Sequence, residues 1–337
     1  MTYQQVIQQA RGQMGPCKAC PVCDGKGCRG TIPGPGAKGI GDTAIRNYNA
    51  WQAIRLNMDT ICASGQPDTR CSLLGQQFSL PVFAGPVGAV QLHYGQKYND
   101  IDYNDILVPA CREAGILAFT GDGADPAVMV AACGAVKQCG GFGIPTVKPW
   151  DAATIAEKMA LVRDARALAV AMDIDAAGLP FLKNHVPPAG SKTVAELREI
   201  IAAAGVPFLI KGVMTVRGAQ KALEAGAAGI VVSNHGGRVL DGTPATAEVL
   251  PEIAAAVGGR ALVLVDGGIR TGLDVFRALA LGADAVLIAR PFVTAVYGAG
   301  ADGVRSYVAQ LQAELADAMS MCGARSLADI SRDMVRL

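Results

Sequence analysis

From Leu80 onward, apolar runs of four to six residues recur along the chain at a steady interval. They fall at Pro81–Ala84, Ile116–Phe119, Gly143–Val147, Ala167–Met172, Pro207–Ile210, Gly229–Val232, Ala261–Val265 and Ala285–Ile288. Short unbroken apolar runs of this kind predict strands buried on both faces. Between most of them lie stretches rich in Ala, Leu and charge, at Ala152–Arg166, Val194–Ala204, Val216–Ala225 and Leu273–Leu281, which predict helices. Eight strand-plus-helix units in about 250 residues match the size of a (β/α)8 barrel. A doubly wound open sheet is the alternative, but its usual mark is G-x-G-x-x-G after the first strand. Here the glycine-rich strand ends come late. The pattern therefore divides the chain into an N-terminal segment, 1–79, and a barrel, 80–337.

The N-terminal segment is less regular. Tyr3–Gln13 and Ala44–Leu56 read as helices, and Gly30–Gly41 (GTIPGPGAKGIG) as a glycine–proline loop that crosses the surface or lines a pocket. Between them stand Cys17, Cys20, Cys23 and Cys28, spaced C-x-x-C-x-x-C-x-x-x-x-C among Gly, Lys and Pro.

Composition narrows the setting. Of 337 residues, 51% are hydrophobic and 18% charged, enough to build a large core and too apolar for disorder. A formal net charge of +1 offers no attraction for nucleic acid or an acidic membrane surface. There is no N-terminal basic-plus-apolar signal and no apolar run of membrane-spanning length, so a cytoplasmic protein is expected. In that setting the ten cysteines read as thiols or ligands before disulfides. The four clustered ones suit Zn²⁺ or an iron–sulfur cluster, although their spacing matches no common zinc or ferredoxin pattern. A redox-active thiol loop and structural disulfides are the alternatives.

Candidate chemistry collects at the carboxyl ends of the late strands. Gly229–Val232 runs straight into Ser233-Asn234-His235-Gly236-Gly237-Arg238, which sets a histidine and an arginine on a glycine-broken loop. Histidine is the side chain that exchanges protons near neutral pH, and arginine offers a planar fork for carboxylate or phosphate. The plainer alternative is a histidine satisfied in a turn with an arginine on the rim. Asp266-Gly267-Gly268-Ile269-Arg270 and Ala289-Arg290-Pro291 follow the last two strands. Glycine-freed N–H groups, a helix start and two guanidinium groups make a dianion site, where barrels commonly hold a phosphate. A salt-bridged rim is the alternative there.

These residues carry a resemblance. PFLIKGVMTVRGAQKALEAGAAGIVVSNHGGRVLDGTPATAEVLPEI followed by VDGGIRTGLDVFRALALGADAVLIARP resembles the FMN-dependent 2-hydroxy-acid oxidases and dehydrogenases, which include glycolate and lactate oxidases. The likeness is strong from Pro207 to Pro291 and traceable from Asn47. It implies a (β/α)8 barrel, bound FMN, a small-molecule substrate, and a homo-oligomer, a tetramer. It implies that His235 takes the substrate hydroxyl proton as hydride passes to the flavin, that Asp173 supports that imidazole, and that Arg238 holds the substrate carboxylate. Lys211 then stands by the flavin N1–C2 edge, and Ser233 and Thr120 touch the flavin. Gly85, Pro86, Val87 and Gly88 lie along its ring. Asp266, Gly267, Gly268, Arg270, Ala289 and Arg290 hold the ribityl chain and phosphate.

The departures fall on the substrate side. A tyrosine expected near the N-terminus is replaced within Cys28-Arg29-Gly30-Thr31-Ile32-Pro33. A Gln-x-Tyr after the third strand is replaced by Pro145-Thr146-Val147, followed by Lys148-Pro149-Trp150, and Leu179-Pro180 stand where a second arginine is expected. Lys148 and Trp150 read equally as pocket groups or rim packing. The resemblance therefore implies a 2-hydroxy-acid oxidoreductase whose substrate and electron acceptor are open. The alternatives are an FMN-dependent reductase or isomerase on another substrate, or a flavin- and metal-binding electron-transfer protein.

Overall fold

The computed structural model describes the chain apart from residues 180, 181, 183, 185 and 187–189. The apolar runs form eight barrel strands: β1 (Val82–Ala84), β2 (Phe119–Thr120), β3 (Ile144–Val147), β4 (Val170–Asp173), β5 (Phe208–Val213), β6 (Gly229–Val232), β7 (Leu262–Val265) and β8 (Ala285–Ile288). Neighbours in sequence pair in parallel from β2 to β8, and β8 then pairs with β1 through Val286↔Val82. One parallel bridge, Ala84↔Ala118, closes the circle. The short β2 reflects this closure. Ile116, Leu117 and Ala118 are buried as expected, yet only the Leu117 carbonyl and this bridge reach β1. The barrel expectation holds and the open sheet is excluded.

The strands are Val-, Ile- and Leu-rich because both faces are covered, inside by opposing side chains and outside by the helix ring. Val82, Val170, Leu209, Val231, Val265 and Ala285 are all inaccessible to solvent. Helix starts follow local capping chemistry. Thr193 and Thr271 each accept from the N–H three residues on, and Glu196 and Asp274 reach back to the cap N–H.

Differences from the sequence expectation lie at element ends. The first helix stops at Ala10, two residues before Gly12, whose φ of +77° leaves the helical region. The second runs Asp42–Ala53, because Leu56 is taken into an antiparallel ribbon with Val335. The last helix, Arg290–Met321, breaks at Ala299–Gly300 and carries the N-terminal helix on its flank. There Tyr3 stacks on Tyr307 at 4.1 Å and donates to the Pro291 carbonyl at 2.9 Å. The N-terminal segment is thereby fixed over the β7 and β8 ends of the barrel.

Two helical glycines test this packing. A Cβ on Gly272 would overlap the Leu311 carbonyl and Leu315 amide of the last helix, whereas Gly134 has nothing within 4 Å. Gly134→Ala is expected to stabilise by about 0.5–1 kcal/mol through lost chain entropy. Gly272→Ala is expected to destabilise by about 1–3 kcal/mol. Thermal and urea unfolding of the two variants check the opposite signs.

Candidate active site

A cavity of about 660 Å³ opens at the carboxyl ends of the strands. That volume lies within the roughly 300–1,000 Å³ of small-molecule and cofactor sites. At its floor, Asp173 ends β4 directly opposite Lys211 of β5. The Lys211 Nζ lies 3.2 Å from Asp173 Oδ1 and 3.5 Å from Asp266 Oδ2, and a second cation, Lys148, lies 3.6 Å from Asp173 Oδ2. Burial alone would discharge Lys211, but the charges of Asp173 and Asp266 outweigh it and hold its pKa above the ordinary value. Burial likewise works against the Asp173 carboxylate, and Lys211, His235 and Lys148 together keep it ionised.

Beside this group the chain makes a bulge. The pairing of β5 with β6 shifts between Lys211 and Val213, and Gly212 takes a φ of +100°. A Cβ there would fall 2.5 Å from the Asp175 Cγ, so the glycine makes room for Asp175 in the turn after β4. Asp175 Oδ1 lies 3.1 Å from His235 Nδ1. The hydrogen bond to the imidazole thus comes from Asp175, a residue the sequence did not single out, while Asp173 pairs with the two lysines and faces His235 through its charge. The chain carries the two aspartates two residues apart, and that spacing was the available signal.

His235 itself has a φ of +56°, and its N–H donates to the Ser233 hydroxyl at 3.1 Å. Ser233 and Thr120 are buried, and neither is among the residues that line the cavity. Arg238 lines the cavity, but its Nη1 donates to the Gly34 and Gly36 carbonyls at 2.7 Å each. It thereby clamps the glycine–proline loop, whose Ile32, Pro33 and Pro35 form one wall where the family tyrosine is expected. Lys148 is a pocket group. Its backbone and the Trp150 indole are fixed on buried Asp122, at 3.0 and 2.6 Å, and Lys158 neutralises that carboxylate at 2.7 Å. Leu179 lines the cavity; Pro180 lies outside the described residues.

Gly85, Pro86, Val87 and Gly88 line the opposite wall, and Asp266, Gly267, Gly268, Arg270, Ala289 and Arg290 line the far end. The glycines there also answer to packing. A Cβ on Gly267 would meet the Asn47 side chain at 2.9 Å, and one on Gly268 would overlap the Asn47 backbone. Asn47 in turn exchanges hydrogen bonds with Asn234 at 2.7 and 3.0 Å. Arg270 donates through Nε to the Cys23 carbonyl at 2.8 Å. Arg290 approaches the Cys28 sulfur, and its Nη1 is buried without a hydrogen-bond partner among the described residues. Asp266 Oδ1 and Thr120 Oγ1 are buried in the same condition. An unpaired guanidinium N–H at a helix start is what a bound phosphate would satisfy, so the residues present fit FMN.

The four clustered cysteines are free thiols, each half-buried, on the loop that crosses this far end. They do not form a close ligand group: among the described residues the one close group of potential metal ligands is Asp173, Asp175 and His235, with ligand atoms within 4.8 Å of one another. Lys211 and Lys148 already neutralise Asp173 in that group, so it reads as a proton-handling set.

The FMN-dependent dehydrogenase family model matches residues 35–186 and 150–337. The chain belongs to this family. It is similar to the peroxisomal (S)-2-hydroxyacid oxidase of Arabidopsis thaliana, 50% identical over 131 residues, which are 39% of this chain and 36% of that protein. The L-lactate oxidase of Lactobacillus jensenii is 45% identical over 153 residues, 45% of this chain and 37% of the oxidase. These matches take in little more than a third of the curated relatives' own length. Among solved structures, mandelate oxidase with (S)-2-phenylpropionate superposes with a TM-score of 0.78 at 26% identity, covering 99% of this chain and 97% of the other. Family membership and the superposition both support FMN dependence and the barrel.

One group in the family pocket was not legible beforehand. His93 accepts the Gly34 N–H at Nδ1, 3.0 Å, which leaves its proton on Nε2 at the cavity wall. Burial, and then the charges of Arg238, Lys148 and His235, push its pKa down to about 4. Because the folded value lies below the unfolded one, the unfolded chain takes up the proton first on acidification. Stability is therefore lost as pH falls from about 6.5 towards 4, by about 2 kcal/mol between pH 7 and pH 5. Urea unfolding at the two pH values is expected to show this loss, and His93→Gln is expected to remove it.

Proposed function

We propose that the chain oxidises a 2-hydroxy acid to a 2-oxo acid with FMN, and that His235 is its base. The observation that carries this reading is the Asp175–His235 pair at 3.1 Å, set in a cavity whose far end is built for a phosphate. With Nδ1–H donated to Asp175, His235 presents the Nε2 lone pair, which takes the substrate hydroxyl proton. Asp175 stabilises the imidazolium that results. Arg238 keeps Nη2 and Nε for the substrate carboxylate after Nη1 is spent on the loop carbonyls. When bound, FMN supplies the acceptor for the hydride leaving the substrate α-carbon. Lys211 is the fixed positive charge for the negative end of that group. Gly85–Gly88 would lie along its ring, with Ser233 and Thr120 behind, and Arg270, Arg290, Gly267, Gly268 and Ala289 would hold its phosphate.

The substrate wall supports a pocket different from the relatives'. Ile32, Pro33 and Pro35 make one side apolar, and Lys148 with the Nε2–H of His93 adds two donors. We place the protein in the cytoplasm as a homo-oligomer. Ten unpaired cysteines fit a reducing compartment, and the resemblance supports the assembly. We also assign Cys17, Cys20, Cys23 and Cys28 to a metal centre, zinc or iron–sulfur. Their joint placement on one loop supports it.

His235→Gln is expected to keep FMN while anaerobic bleaching by a responsive hydroxy acid slows by at least about 10²-fold. Asp175→Asn should slow it by about tenfold, since orientation is lost and the base kept. Near-normal bleaching in His235→Gln would remove the base from this residue. Arg290→Ala should weaken FMN retention by about 1.5–3 kcal/mol, read as a rise in Kd on titration of the apoprotein.

A further inference from the structure

We infer that Lys148 is a second fixed positive charge for the flavin: placed level with Lys211 at the cavity floor, it offsets the negative charge that the ring gains on reduction. This rests on the FMN assignment above and gives a task to a residue that stands among the departures from the family pattern.

Three observations carry it. The first is register. Val147 pairs with Met172, and Asp173 with Lys211, so the chain just past β3 comes level with the end of β4 and with Lys211 of β5. Lys148 and Lys211 therefore flank one carboxylate, 3.6 Å from Asp173 Oδ2 and 3.2 Å from Asp173 Oδ1. All three residues line the cavity. The second is the charge count. Lys211 also meets Asp266, at 3.5 Å. Without Lys148 this floor would set one ammonium against two carboxylates; with it, cations and anions are equal in number. A hydride delivered to a neutral ring brings one negative charge with it, while the hydroxyl proton goes separately to His235. That charge is disfavoured beside a net anionic floor and accepted beside a balanced one. Lys148 and Asp173 are only 6% and 3% exposed, so water screens the effect little.

The third observation is the support beneath the lysine. The Lys148 N–H and the Trp150 indole both donate to Asp122 Oδ2, and the Trp150 N–H returns to the Lys148 carbonyl at 2.8 Å. The other oxygen of buried Asp122 accepts from Lys158 at 2.7 Å and from the Gly123 N–H at 2.8 Å. The backbone of residue 148 is thus fixed by a carboxylate whose charge Lys158 already meets. The Lys148 ammonium keeps its own charge for the cavity. At 3.6 Å its pair with Asp173 is longer than a hydrogen bond, so its N–H groups remain for a ligand.

Asp173 keeps Lys211 when Lys148 is neutralised, so Lys148→Met and Lys148→Gln are expected to fold, as thermal unfolding and FMN absorbance report. Two measurements on the FMN-loaded protein need no substrate. One is the midpoint potential against a reference dye. The other is the Kd for sulfite, an anion whose addition bleaches oxidised flavin and leaves negative charge on the ring. Both neutral variants should shift the reduction equilibrium at least about tenfold towards the oxidised form, about 30 mV for a two-electron couple. The sulfite Kd should rise at least about tenfold in both. Lys148→Arg keeps the charge and should stay within about threefold of the parent in each measurement. Parent-like values in both neutral variants overturn the proposal. Equal shifts in all three variants also overturn it, since shape and not charge would then be responsible. A parent protein that takes up no FMN overturns the cofactor reading and the proposal together. A flavin that answers to sulfite but is bleached by none of L-lactate, glycolate and mandelate overturns the hydroxy-acid reading alone.

Discussion

A buried ammonium has to be neutralised where it stands, and the geometry of this site follows from how Lys211 meets that demand. Its partners come from two other strands, Asp173 at the end of β4 and Asp266 just past β7. Removing either carboxylate would strand a charge in the barrel, so the register of three strands and the charge set are fixed together. The same constraint explains why Asp173 meets the imidazole through charge and not through a hydrogen bond. With Lys211 and Lys148 on its two oxygens, both are taken. The imidazole is hydrogen-bonded by another carboxylate, and the bulge at Gly212 is the backbone device that admits Asp175.

Arginines do a parallel task on the N-terminal side. Arg238, Arg270 and Arg290 each face the cavity and each touch the segment before residue 40, through Gly34 and Gly36, through Cys23, and through Cys28. The wall and the far end of the cavity are therefore closed by chain that lies outside the barrel proper. A guanidinium suits this double use because its donors point in several directions and its charge persists when buried. Loss of one arginine would disturb ligand and loop together, which is why its effect on cofactor binding has to be read beside the folding of the loop.

The barrel was legible because its signal is local. Runs such as Ile230–Val232 and Val286–Ile288 are apolar whatever the rest of the chain does, and five of the eight strands lie within the expected runs or match them. β2, β4 and β5 run past them, to Thr120, Asp173 and Val213, where polar, charged or glycine residues ended the apolar pattern. The loops at residues 233–238, 266–270 and 289–291 were legible for a similar reason, since glycine and arginine stand out at strand ends. What stayed hidden depends on contacts between distant segments. The roles of His93 and Asp122 are set by Gly34 and by Lys158, 59 and 36 residues away. The break at Ala299–Gly300 belongs to a helix long enough to carry the N-terminal helix, and nothing in its own periodicity marks it. Asp175 was hidden differently, by a resemblance that offered Asp173 first.

The departures from the family pattern take on a direction once the clamp by Arg238 is considered. A tyrosine hydroxyl at the N-terminal wall would share the substrate carboxylate with the arginine. Here the same wall is backbone and proline, and it takes two of the arginine's donors for itself. On the proposed reading, substrate recognition then draws also on Lys148, on the loop after β3, and on His93, in the short helix Val90–Tyr94 that follows β1. Lys148 is a point charge held 3.6 Å from Asp173, so a carboxylate arriving there competes with an existing pair and gains less than it would from a free cation. His93 stays neutral and donates without adding charge. The pocket is thus tuned towards shape and hydrogen bonding and away from bulk charge. A substrate whose second substituent is apolar and fits against Ile32, Pro33 and Pro35 is the kind such a wall would select.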